Sequence, residues 1–225
     1  MRTVVAVGGS VLAPGLDSGR VRAYADVIED LHADHGVGVV VGGGGMARRY
    51  IGTARELDAN EMACDALGIG VARLNARLLI AALGERAAPT PPEEYETAAA
   101  TLHRDDVPVM GGVVPGQTTD AVAAALAETV GADLLVYATS VPGVFDADPN
   151  ADPDATRFDT IAADDLVDLV ADIEMTAGAS APIDLLAAKL IQRAGLRTVV
   201  LDGSDPGAVR RAVRSDEFDG TEVLP

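Results

Sequence analysis

The chain has 225 residues, with 35 Asp plus Glu against 17 Lys plus Arg and a formal net charge of −18. That length holds one large α/β domain or two small ones, and a 48% hydrophobic fraction is enough for a packed core, which excludes global disorder. The negative charge repels DNA, RNA and anionic membranes, so neither a nucleic acid nor a membrane is expected as partner. The single cysteine, Cys64, excludes an intrachain disulfide and a cysteine-built zinc site. No apolar run reaches the roughly 18 residues of a spanning helix. The start, Met1 to Gly9, enters a strand pattern directly, without a signal-peptide apolar region, so a soluble cytoplasmic protein is expected.

The charge has an unusual make-up: 24 Asp to 11 Glu, and 16 Arg to one lysine, Lys189. Such a surface looks like that of a halophilic protein in multimolar salt, where the Debye length falls to roughly 3 Å and self-repulsion is screened. Codon bias alone would explain Arg over Lys, but less easily the net charge.

In chain order, Thr3–Val7, Val37–Val41, Val107–Met110, Asp133–Tyr137 and Thr198–Leu201 read as buried strands, apolar on both faces. Helical patterns run over Arg20–His35, Met46–Leu57, Asn60–Leu83, Pro92–Leu102, Thr118–Val130, Pro182–Ala194 and Gly207–Arg214. This alternation predicts an α/β fold, a mostly parallel central sheet with helices on both faces. Thr221–Leu224 could add a final edge strand. Around the polar stretch Asp146–Ala155, Gly143-Val144-Phe145 and Thr156-Arg157-Phe158 suggest a hairpin excursion. The proline-rich stretch Arg86–Glu93 reads as a surface loop. Nothing in the chain demands two independent domains.

Glycines stand where strands end: Gly8-Gly9-Ser10, then Gly42 to Gly45 ahead of Met46-Ala47-Arg48-Arg49, then Gly111-Gly112 leading through Val113 to Asp120. In open α/β sheets ligands bind beyond the carboxyl ends of strands. Glycine lets backbone N–H groups approach phosphate, and a following helix N-terminus favours its charge. One such turn would mean little; three on one sheet edge point to a polyanion site. No Gly-Lys-Ser/Thr is present, so this is not a Walker A loop, and the first strand lacks the dinucleotide spacing.

Lys189 lies in an apolar helical stretch of a chain that otherwise excludes lysine. Either its compact ammonium follows a transferring phosphoryl group or it snorkels from a helix. Asp120 opens a helix after two threonines; it is a dipole partner, or it orients Lys189 or a magnesium-bound water. The three histidines offer no metal site.

The order Gly8-Gly9-Ser10, Val39–Gly44 with Arg48, Asp65, Val107–Gly112, Pro115–Ala124, Thr139, Gly143-Val144-Phe145, Asp148-Pro149 and Asp184–Leu190 resembles the amino acid kinase superfamily. It is most similar to the archaeal type of uridylate (UMP) kinase, over essentially the whole chain. Thr118-Thr119-Asp120 and Gly143-Val144-Phe145 with Asp148-Pro149 are the most specific parts. The resemblance implies an amino acid kinase-like three-layer sandwich over residues 1–225, with an acceptor lobe of about 1–130 and an ATP lobe of about 131–225. It implies transfer of the ATP γ-phosphoryl group to UMP, magnesium, and a homohexamer built as a trimer of dimers.

Carried over by position, Gly9, Ser10, Gly44 and Arg48 would lie along the ATP phosphates, and Thr139, Phe145 and Asp148 would hold the adenosine. Gly43 and Asp65 would contact UMP, and Val113, Val114, Pro115, Gly116, Gln117, Thr118 and Thr119 would wrap it. Lys189, Asp120 and Arg48 would carry the catalysis. The chain departs from the pattern at Ala6, where many members have lysine, at Gly45, often lysine in archaeal relatives, and at Pro142, usually Asp or Asn. Isopentenyl phosphate kinases need a histidine near the second glycine turn, and none is here. Two other readings keep the fold: an ATP-binding protein that stores a metal oxoanion, and a kinase for carbamate or N-acetylglutamate. Lys189, Asp120 and the Asp65 pocket argue against the first, and Asp65 and the Pro115–Thr119 loop against the second.

Overall fold

The computed structural model describes the whole chain except residues 148, 150, 151, 153 and 175–182, with no side-chain description for 172–174. Among the described residues seven strands form one sheet: β1 (Arg2–Val7), β2 (Gly36–Val41), β3 (Val109–Met110), β4 (Leu134–Thr139), β5 (Thr160–Ala162), β6 (Thr198–Asp202) and β7 (Gly220–Leu224). Their order is β3-β2-β1-β4-β6-β7-β5. Pairing is parallel except between β6 and β7.

Around it run α1 (Gly9–Leu12), α2 (Ser18–His32), α3 (Gly44–Glu56), α4 (Glu61–Leu83), α5 (Tyr95–His103), α6 (Thr119–Val130), α7 (Ala163–Glu174), α8 (Leu185–Ala194) and α9 (Pro206–Ser215). Strand side chains alternate between faces. Val5, Val7, Val39 and Val136 meet α2, α4 and α9 through Ile28, Leu79 and Val209. Val4, Val40, Leu135 and Val200 meet α5 to α8 through Ala98, Leu126, Leu166 and Ile191. The sheet is therefore covered on both sides, as its apolar strands require.

The expected α/β architecture is present, with three corrections. Thr221–Leu224 is a strand but not the edge, because β5 pairs beyond it. β5 and α7 were not foreseen; α7 buries Leu166 and Val170 while Asp164, Asp165 and Asp168 face outward, and those aspartates give the segment a polar reading. The third is α4, which with Gly84–Arg86 is long and apolar enough to cross a membrane by length and composition. Here it buries Cys64, Ala72, Asn75, Ala76 and Leu79 within the molecule. The hairpin excursion is anchored by an antiparallel bridge between Phe145 and Arg157.

The chain winds from β1 outward to β2 and β3, then returns through α6 to β4 on the other side of β1. That reversal opens a crevice at the carboxyl ends of β1 and β4.

Candidate active site

Two clefts open at this edge. The first, about 280 Å³, is lined by Gly8, Gly9, Ser10, the Gly42–Gly44 turn, Arg48, Thr119, Asp120, Tyr137 and Thr139–Val141. The second, about 340 Å³, is lined by Ala47, Ile51, Asp65, Ile69, Ala72, Gly112 and Gly116–Thr119, with Gly43. Gly43 and Thr119 belong to both, so the clefts meet there.

Close packing of two backbone turns builds this junction. A Cβ on Gly9 would lie 2.2 Å from the Gly42 carbonyl oxygen, and one on Gly44 would lie 2.3 Å from the Ser10 nitrogen. Gly44 also has φ of 63°, in the left-handed region. Ser10 Oγ accepts from the Gly45 N–H at 3.0 Å and from Arg48 Nη2 at 3.1 Å. The N-terminus of α3 opens on the first cleft beside that of α6. Thr118 caps α6 by accepting from the Ala121 N–H at 3.1 Å and donates its hydroxyl proton to Asp184. Two helix N-termini and one guanidinium thus face a space suited to phosphates.

Asp120 sits in the first turn of α6 on the floor of the first cleft. Burial, and secondarily the Asp184 charge, push its carboxyl up to about 7. Tyr137 donates to the Asp120 main-chain oxygen at 2.7 Å, and burial raises its own phenol well above the ordinary value. Asp120 lines the cleft within reach of the Asp184 charge, and hard oxygen donors of this kind suit magnesium. Among the described residues no cluster of three ligating side chains exists, so such an ion would take its remaining ligands from phosphate and water.

In the second cleft, Asp65 Oδ2 accepts from the Gly116 N–H at 2.7 Å, tying α4 to the loop ahead of α6. Tyr95 donates to Gln117 Oε1 at 2.9 Å. Arg73 donates to the main-chain oxygens of Gly112 and Val113 at 2.9 and 3.2 Å and pairs with Glu93.

Gly9, Ser10, Gly44, Arg48, Asp120 and Thr139 therefore converge on the first cleft, and Gly43, Asp65, Gly116, Gln117, Thr118 and Thr119 on the second. Val113, Val114 and Pro115 line neither; Val113 packs toward the core and Val114 is half exposed. Phe145 lies at the base of the hairpin, outside the cleft lining, and Asp148 is outside the described residues. Lys189 is not among the converging residues: it is exposed on the face of α8 turned away from Ala187 and Ile191 and lines neither cleft. Composition singled it out, but helix phase places it outside.

Sequence reasoning missed the apolar wall of the second cleft, Ala47, Ile51, Ile69 and Ala72. Their spacing on α3 and α4 reads as ordinary helix packing. It also missed Asp184 as the partner of Thr118; its place as N-cap of α8 hid that second contact.

The amino acid kinase family model matches residues 1–202. A uridylate kinase of Haloarcula marismortui is 66% identical over 226 residues, covering all of this chain and 99% of the relative. One from Methanococcoides burtonii is 48% identical, covering 99% of this chain and 97% of the relative. The crystal structure of uridylate kinase from Archaeoglobus fulgidus superposes with a TM-score of 0.89 at 43% identity, with full coverage of both chains.

Proposed function

The chain belongs to the amino acid kinase family, among its uridylate kinases, and from the two joined clefts we propose that it transfers the γ-phosphoryl group of ATP to UMP. The observation that carries this reading is the meeting of the clefts at Gly43 and Thr119. A donor phosphate chain in the first cleft and an acceptor phosphate in the second would face one another at that point.

The acceptor is already an anion, so no general base is needed. Catalysis reduces to alignment and charge neutralisation. The Gly43 and Gly44 N–H groups and the α3 N-terminus receive the phosphates, and Arg48 closes over them from Ser10. Asp120 would hold magnesium, which when bound neutralises phosphate charge. Asp65 keeps the acceptor loop closed through Gly116 and accepts from the ribose hydroxyls. Thr139, at the end of β4 in the first cleft, would hold the adenosine part. Residues of about 1–130 form the acceptor lobe and about 131–225 the ATP lobe.

We also infer a cytoplasmic homohexamer, a trimer of dimers. Exposed Tyr50, Leu67, Leu74 and Leu78 on α3 and α4 support burial against another copy.

Phosphoryl transfer is tested by incubating the purified chain in molar KCl with magnesium, UMP and γ-labelled ATP. Label should arrive in the β-position of UDP. Release of labelled inorganic phosphate without labelled UDP would contradict the proposal.

A further inference from the structure

We propose that Asn75 is a positioning residue for phosphoryl transfer, acting through the second glycine turn without touching substrate. The inference rests on the kinase reading above. Asn75 is 5% exposed and is the one buried polar side chain of α4. Its neighbours on that face are Ala72, Ala76 and Leu79, so an apolar residue would fit the pattern. Instead its Nδ2 donates to the main-chain oxygens of Gly42 at 2.9 Å and Gly43 at 3.3 Å.

In a trans peptide the C=O and the following N–H point in opposite directions. Holding the Gly42 and Gly43 carbonyls toward α4 therefore turns the Gly43 and Gly44 N–H groups away from α4, toward the cleft junction. Glycine is the residue least able to hold such an orientation unaided, because its backbone has the widest choice of conformations. The turn is fixed from one side by the Gly9 backbone, which excludes any Cβ, and from the other by the Asn75 amide, which holds the Gly42 carbonyl and shares the Gly43 carbonyl with the Ala47 N–H. Preorganised donors stabilise charge in the transition state because they need no reorganisation during reaction. Asn75 supplies that preorganisation.

Two variants separate positioning from packing. Asn75→Leu keeps the branched shape and removes the donor; Asn75→Gln keeps an amide donor in a longer side chain. Each is assayed in molar KCl with magnesium for kcat, for KM of UMP, for ADP affinity by calorimetry, and for thermal midpoint. Positioning predicts that Asn75→Leu lowers kcat by roughly ten- to a hundredfold, as for loss of part of an electrostatic cradle. It predicts weaker ADP binding, a UMP KM changed less than about threefold, and partial recovery of kcat in Asn75→Gln. A packing role predicts the reverse ranking, with Leu tolerated and Gln impaired. Folded Asn75→Leu with wild-type kcat and ADP affinity overturns the inference. If Asn75→Leu does not fold, a folded Asn75→Gln with unchanged UMP KM decides: kcat within about tenfold of wild type supports positioning, and a greater loss overturns it. The wild-type chain, run alongside, isolates the kinase reading. If it binds ADP but makes no UDP, that reading fails, and the ADP affinity of Asn75→Leu still decides the role of the amide.

Discussion

Burial and the Asp184 carboxylate push Asp120 up to about 7, so at neutral pH it is divided between acid and carboxylate. Its folded value lies above its unfolded one, near 3.8. The folded state therefore binds the proton more tightly. Its stabilising contribution is complete below about 4 and is lost as pH rises through about 7. In the absence of nucleotide and magnesium, Asp120→Asn should melt higher than the wild-type chain at pH 8, with the gap closing toward pH 4. A melting difference that is constant across that range would show that Asp120 is not strained by its site. The same variant should lose roughly two to three orders of magnitude in kcat, as for removal of one preorganised electrostatic group. Asp65→Ala frees the Gly116 N–H as well as the acceptor cleft, so KM for UMP should rise more than KM for ATP. Equal rises would remove Asp65 from acceptor binding. Lys189→Ala should leave kcat within about threefold of wild type, because Lys189 lines neither cleft. A loss of a hundredfold in the folded variant would return the lysine to the reaction.

Strand ends and helix starts make the site. Gly9 and Gly44 show why: each is hemmed in by the other's backbone, so Gly9→Ala must separate the two turns. We expect Gly9→Ala to weaken ADP binding at least tenfold and to lower the thermal midpoint, measured by calorimetry; unchanged ADP affinity would mean that the turns do not form the phosphate cradle. These turns were legible in the sequence, since three glycine groups each followed a β-branched run. The parallel strands and most helices were legible for the same reason of periodicity. What escaped is instructive. α7 hides its buried Leu166 and Val170 among aspartates, and three-residue β5 is too short to show alternation. The antiparallel turn of β7 depends on its register with β6, which no local pattern encodes. Lys189 stood out by rarity alone, and rarity carries no direction in space. Asn75 was visible as a polar residue in an apolar helix, but its partners lie more than thirty positions away.

Charge governs the molecule as a whole. Each copy carries −18, so six copies would carry six times that before ions bind. At roughly 0.1 M salt the Debye length is about 10 Å and charges on neighbouring subunits repel; at molar salt they are screened. Apolar burial between copies persists or strengthens with added salt, depending on the salt. Lowering KCl should therefore loosen the assembly before the subunits unfold, seen as falling light scattering with unchanged circular dichroism. An assembly that persists unchanged at 0.1 M KCl would contradict both the halophilic reading of the composition and the role given to repulsion. The same screening lets an acidic protein hold two polyanions, because only the short-range donors of the clefts remain. Which acceptor those donors select is the central question, and one experiment addresses it most directly. ADP release is followed in molar KCl with ATP and magnesium across UMP, CMP, carbamate and N-acetylglutamate as acceptors. The joined clefts and the Asp65 loop predict turnover with UMP and none with carbamate or N-acetylglutamate; turnover with either of those, and none with UMP, would contradict the account.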